Sequence, residues 1–126
     1  MGFSDTFETR VLTWVFTNSS ATRPTAWYVA LFTSAPSDAG GGTEVSGGAY
    51  ARQAVTFSVS GNTATNSGAI EYPTATAGYG TVTHVGIFDA STGGNLIAHS
   101  ALTTSKAIDT GDVLRFPAGD IDITLD

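Results

Sequence analysis

A chain of 126 residues with 41% hydrophobic content can bury a real core as one domain, yet only 13% of its residues are charged, about half the share of an ordinary soluble domain. Eleven acidic residues against five basic ones give a net charge of −6, and Arg10, Arg23, Arg52, Lys106 and Arg115 are scattered, which argues against nucleic-acid binding and against adsorption to an anionic membrane. The absence of cysteine excludes disulfide staples, thiolate metal sites and a cysteine nucleophile.

The first 17 residues carry a helical period. Phe3, Phe7, Val11, Trp14 and Val15 recur at steps of three and four, and Asp5 followed by Glu8 resembles a capping box at the positive end of a helix dipole. Asn18-Ser19-Ser20 and Arg23-Pro24 stop that helix. The triplet also matches a glycosylation acceptor, but no cationic start with an apolar run marks a secretion signal, so it reads as a loop in a chain made in a cytoplasm. No stretch approaches the length of an apolar membrane span.

From residue 26 onward the period becomes two. Residues 26–33 are apolar on both faces, with Trp27, Val29 and Leu31 alternating with Tyr28, Ala30 and Phe32, as in a strand buried on both sides. Residues 34–49 form a long polar loop with Gly40-Gly41-Gly42 and Gly47-Gly48. Residues 52–60 alternate cleanly, Gln53, Val55, Phe57 and Val59 on one face, before a Gly61-Asn62 turn and a short strand leading through Asn66 to Ile70 and Tyr72. Residues 81–89 set Val82, His84 and Phe88 against Val85 and Ile87. Gly93-Gly94 then signals a hairpin to residues 96–100, and Asp109-Thr110-Gly111 a second between residues 105–108 and 112–116. The last strand sends Ile121, Ile123 and Leu125 inward and Asp120, Asp122, Thr124 and Asp126 outward.

Roughly seven to eight short strands at intervals of about 8–12 residues predict an all-β fold: a single-domain β-sandwich of jelly-roll or Ig-like kind over residues 26–126, with a short N-terminal α-helix over residues 1–17. Residues 1–126 form one domain in this reading, since neither an internal repeat nor a linker interrupts them.

Chemistry-bearing motifs are sparse. His84 or His99 with Asp89 and a serine could compose a hydrolytic triad, but no Gly-x-Ser-x-Gly elbow exposes a particular serine. His84, on a strand between Val82 and Phe88, reads as a core or interface histidine. Asp120 and Asp122 share a strand face as a solvating row that blunts an edge, with a weak calcium site as the alternative. The segment from Gly40 to Gly48 lacks the Gly-Lys-Ser/Thr of a phosphate loop; it reads instead as a flexible arm that orders against a neighbouring chain. Tyr50, Tyr72 and Tyr79 lie in or beside loops, where exposed rings could stack on sugars; turn-flanking core aromatics explain them equally well. No catalytic, cofactor-binding or metal-ligating residue is nominated, and the chain is read as a non-enzyme.

Several segments carry a family resemblance. These are Trp27-Tyr28-Val29-Ala30-Leu31-Phe32-Thr33, then Gly47-Gly48-Ala49-Tyr50-Ala51-Arg52-Gln53-Ala54-Val55-Thr56-Phe57, and further on Thr81-Val82-Thr83-His84-Val85-Gly86-Ile87-Phe88-Asp89-Ala90. Gly93-Gly94-Asn95-Leu96, Gly111-Asp112 and the end at Leu125-Asp126 continue it. With them the chain resembles a family of short tailed-phage virion structural proteins, tail-fibre-like or serving as capsid decoration or spike-base β-domains. The resemblance implies a virion component whose partners are other virion proteins and copies of itself, with no cofactor and no catalytic residues. Because the chain has neither a heptad stalk nor a second domain, an oligomeric capsid decoration, cement or spike-base protein is the expected role. A tail-fibre or receptor- and glycan-binding tip module is the alternative, with a host glycan as its possible partner. Trp14, Arg23, Tyr50, Arg52 and Tyr79 are the expected protein-contact residues.

Overall fold

The computed structural model describes residues 1–125, which places Asp126, the last of the outward acidic row, outside the described residues. The N-terminus opens with a two-residue strand, β1 (Gly2–Phe3), followed by helix α1 (Asp5–Phe16). The cap is Ser4, one residue before the expected box. Its Oγ accepts from the Phe7 N–H at 3.4 Å and donates to the Leu96 carbonyl, so one buried hydroxyl both starts the helix and ties it to the sheet. Asp5 and Glu8 occupy the first turn, where the helix dipole favours them. Thr17 closes the other end by bonding the Thr13 carbonyl through both its N–H (3.2 Å) and its hydroxyl (2.6 Å).

Strand is the main regular structure of the described residues, and every pairing is antiparallel. They comprise β2 (Tyr28–Ser34), β3 (Thr43–Glu44), β4 (Gln53–Ala54), β5 (Phe57–Ser60), β6 (Thr63–Asn66), β7 (Ile70–Glu71), β8 (Gly80–Phe88), β9 (Leu96–Ile108), β10 (Arg115–Phe116) and β11 (Asp122–Thr124). Six of them form one sheet in the order β1-β9-β8-β2-β3, with β4 also on β2; β11-β6-β5 and β10-β7 make a three- and a two-stranded sheet. Val29 and Leu31 of β2, Val85 and Ile87 of β8 and Ala98 of β9 point from the large sheet into one apolar cluster. The small sheets and their connections contribute Ile70, Tyr72, Leu114, Phe116 and Ile121 to it. Burial of this face is the main favourable term for the fold.

Alternation placed β2 and β8 correctly but not every strand's partner. Residues 52–60 are not one strand. The chain changes sheets inside them, the Val55 N–H bonding the Trp27 carbonyl while the Thr56 carbonyl accepts from Ser67. Val55 is therefore buried, Phe57 half-buried and Val59 exposed. Between the Val82–Lys106 and His84–Ala101 pairs the β8–β9 register shifts, the extra residues lying on β9, and Val82 joins Val85 and Ile87 in the core cluster instead of sharing a face with His84 and Phe88. The second expected hairpin keeps its turn, with Asp112 N–H bonding the Asp109 carbonyl at 3.0 Å. Its arms part, however: residues 105–108 continue β9, whereas β10 pairs with β7.

The loop at 34–49 is also ordered within the chain. β3 lies against β2, the Asp38 carbonyl accepts from the Asp5 N–H at 2.9 Å, and the Asp38 carboxylate meets His99 Nε2 at 2.8 Å. Gly48 lies so close to Ala77 that a Cβ would stand 2.5 Å from the Ala77 carbonyl oxygen. That close backbone approach, not flexibility, is what the glycine serves.

Candidate functional site

Three of the five expected contact residues are part of the chain's own framework. The Arg52 guanidinium donates to both oxygens of Glu44 (2.9 and 2.8 Å) and to the carbonyls of Ala90 (3.0 Å) and Gly93 (2.7 Å). Its Cζ lies 3.7 Å from the centre of the Phe88 ring, a cation–π contact. With its side chain 8% exposed and that of Glu44 26%, Arg52 clamps β3 to the β8–β9 turn. Tyr50 completes the clamp by donating to Glu44 at 2.6 Å and accepting the Leu31 N–H at 3.0 Å. The Leu31 N–H faces the gap between β3 and β4 on the edge of β2, so the phenol fills a missing rung.

Burial works against the Glu44 charge, but hydrogen bonds from Arg52 and Tyr50, with the Arg52 charge, outweigh it and hold the carboxyl below its usual range. Burial, and then the hydrogen bond to the Glu44 carboxylate, push the Tyr50 phenol well upward. Tyr50 stacks on Tyr72 (centroids 6.0 Å apart) and meets Tyr79 edge-on at 5.8 Å. Tyr72 and Tyr79 are buried, the Tyr72 hydroxyl donating to the Val29 carbonyl at 2.6 Å and that of Tyr79 to Pro73 at 3.1 Å. Tyr50, Tyr72 and Tyr79 thus form one stack, with Tyr72 and Tyr79 in the core, as the reading of them as turn-flanking core aromatics has it, and Tyr50, Arg52 and Tyr79 all have partners within the chain. Polar flanking residues made them look like loop-tip aromatics, and the pairing of Arg52 with Glu44 leaves no mark in sequence.

The ionisable groups weighed for catalysis lie apart in use. His84 Nδ1 bonds its neighbour Thr83 at 2.8 Å, His99 holds Asp38, and Asp89 accepts the Asn95 N–H at 2.7 Å and its side-chain amide at 3.1 Å. Desolvation opposes the Asp89 charge, but the Asn95 bonds prevail and lower its pKa. Asp122 takes the Thr65 hydroxyl, and Asp120 sits exposed in the turn before β11. Among the described residues no group of three or more His, Asp or Glu side chains converges. Buried Asn66, to which sequence gave no role, joins the ends of the small sheets: its amide donates to Gly68 (2.8 Å) and Pro117 (3.0 Å) and accepts from Ile121 (2.8 Å).

Trp14 and Arg23, the other two expected residues, lie together on the surface. Of α1 only Phe7 is buried; the helix leans on β9 by its first turns and then runs clear. Leu12, Trp14, Val15 and Phe16 are 57%, 72%, 52% and 78% exposed, so the expected apolar face covers the sheet only at its start. Phe7, Val11 and Trp14 on the helix and Pro24 on the following segment line a groove of about 290 Å³ with Arg10 and Arg23 at its rim. Arg10 donates to the Thr22 carbonyl at 3.2 Å and lies 4.6 Å from the Phe7 ring centre, whereas Arg23 is exposed with no ion-pair partner among the described residues. No helix among the described residues is long and apolar enough to cross a membrane.

A chain whose ordered charged groups brace its own framework, and whose exposed aromatics gather on a projecting helix, has the layout of a structural protein. The comparison with known families makes this specific. The family described as podophage GP4 fiber I protein gp80 matches residues 2–124, and the chain belongs to that family, a virion structural component of short-tailed phages. No curated protein matches it.

Proposed function

We propose that the chain is a non-enzymatic building block of the tail fibre of a short-tailed phage, incorporated in several copies through contacts centred on α1. The observation that carries this reading is the run of exposed apolar side chains at residues 12, 14, 15 and 16. In a chain otherwise well packed, such a patch marks a protein contact. The family's description as a fibre protein favours the tail over capsid decoration, the role first expected. Tyr72 and Tyr79 pack in the core, which favours the assembly reading over an aromatic platform for a host glycan.

Purified virions test the reading. Quantitative mass spectrometry is expected to find several copies of the chain per particle, and gold-labelled antibody to mark the tail. Absence from particles would overturn the structural role; labelling confined to the head would overturn the fibre assignment.

A further inference from the structure

We infer that copies of this chain dock head to tail through two different faces of α1: the outer face of one helix enters the arginine-rimmed groove beside the helix of the next copy. The inference rests on the assembly role proposed above and names the partner and geometry of that same surface.

The two faces follow from helical spacing. Asp5, Glu8, Leu12, Val15 and Phe16 succeed one another at steps of three, four or one and form a single stripe on the outer side. Its first half is acidic and its second half apolar. Trp14, with Phe7, Arg10 and Val11, belongs to the opposite side, where the groove lies. That side is apolar at its floor and cationic at its rim, in a chain with only five cations and a charge of −6. A helix apolar on both flanks over its last turn needs a cover on each, and one symmetric contact supplies only one.

Charge placement selects the occupant. If outer faces paired with each other in parallel, Asp5 and Glu8 would meet their own copies, and like charges repel. If they paired antiparallel, those carboxylates would lie against Leu12 and Phe16 of the other copy, desolvated without partners. Set into the groove, the same stripe brings Glu8 toward Arg10 and Arg23 while Leu12, Val15 and Phe16 meet Val11 and Trp14. Aromatic side chains offer on the order of 150–250 Å² each, so at 72% and 78% exposure Trp14 and Phe16 contribute roughly 300 Å². Leu12 and Val15, 57% and 52% exposed, enlarge this apolar centre, and the polar rim around it supplies the rest of the ~1,200–2,000 Å² of a specific complex. A contact between two unlike surfaces closes into a ring when its rotation permits.

Light scattering on the size-fractionated full chain tests this. The wild type is expected to be multimeric. Phe16→Glu, which spoils the outer face, and Trp14→Glu, which spoils the groove, are each expected to be monomeric with an unchanged circular dichroism spectrum, because both positions are exposed. Mixed together, the two variants should form a one-to-one dimer: the first still offers an intact groove and the second an intact outer face. Glu8→Arg and Arg23→Glu should each weaken assembly about tenfold, and the double variant should recover it. A wild type that stays monomeric, a mixture that fails to pair, or a charge exchange that recovers nothing would overturn the docking scheme. Copies of the chain found in virions alongside such a result would leave the structural role standing.

Discussion

Replacing Arg52 by Ala discriminates between the two roles this arginine has been given, exposed contact or internal clamp. The substitution removes both hydrogen bonds to Glu44, those to the Ala90 and Gly93 carbonyls, and the cover over Phe88. Deleting one member of a buried ion pair costs about 3–5 kcal/mol, mainly because the other charge is left without a partner. The Glu44 side chain is 26% exposed, so water recovers part of its solvation, and the lower end applies. The lost Phe88 contact adds about 0.5–1 kcal/mol, giving a total near ~3–4 kcal/mol. That is a large fraction of the ~5–15 kcal/mol by which a domain of this size is stable. Equilibrium urea unfolding measures it, with a fall in midpoint at unchanged slope.

Two controls sharpen the reading. Arg52→Lys keeps the charge but cannot present two parallel donors to a carboxylate while also reaching the turn carbonyls, so it should recover less than half of the loss. A double-mutant cycle with Glu44→Ala should show a coupling of about 2 kcal/mol. A loss below about 1 kcal/mol for Arg52→Ala, or strict additivity of the pair, would refute the clamp and return Arg52 to the list of contact residues.

Three further outcomes follow from the same packing. Gly48→Ala should cost more than about 3 kcal/mol, because φ is +62° and the new Cβ would stand 2.5 Å from a carbonyl oxygen; Gly47→Ala, at φ +76° with open space around it, should cost only the ~1–2 kcal/mol of left-handed backbone. Asn66→Ala should lose about 1–3 kcal/mol in urea titration, since it strands the buried Ile121 N–H and removes the amide's bonds to the Gly68 and Pro117 carbonyls. Acid unfolding follows the signs at Glu44 and Asp89, whose folded pKa values both lie below their ordinary ones. Their stabilisation is complete above the unfolded carboxylate value of about 4 and is lost as pH falls through the lower folded value. Stability should therefore drop below about pH 4, and Glu44→Gln should start lower at neutral pH and fall less steeply.

The β character and the N-terminal helix were legible because alternation and the helical period are local properties, strongest in β2 and β8, where both faces are apolar. What periodicity does not encode is the partner of a strand. Residues 52–60 alternate without a break, yet they serve β2 at one end and β6 at the other. Nothing local to Asp109-Thr110-Gly111 shows that its flanks bond elsewhere. The jelly-roll or Ig-like detail likewise depended on pairings that sequence leaves open. An aromatic load on a short helix and a cation before a proline are local signals, and they marked Trp14 and Arg23, which the structure leaves exposed beside one groove. For Tyr50, Arg52 and Tyr79 no local signal shows the internal partners: Glu44 for Tyr50, Glu44 with the Ala90 and Gly93 carbonyls for Arg52, up to 41 positions away, and the Pro73 carbonyl with the Tyr50 ring for Tyr79.

The strand edges explain why assembly should fall to the helix. An open edge is a template for indiscriminate pairing, and the large sheet protects both of its own. On one side β3, β4 and the Tyr50 hydroxyl together occupy the rim of β2. On the other, β1 pairs with residues 98 and 99 of β9. Beyond it, the register shift between the Val82–Lys106 and His84–Ala101 pairs throws residues 102–105 out as a bulge, with exposed Lys106 immediately after. Bulges and lysines blunt an edge against further strands. Copies brought together by hydrogen-bonded edges could add in any number. Copies brought together by two unlike faces of one helix add in a fixed direction, and where their rotation closes a ring the number is set, the property a virion part of defined size requires.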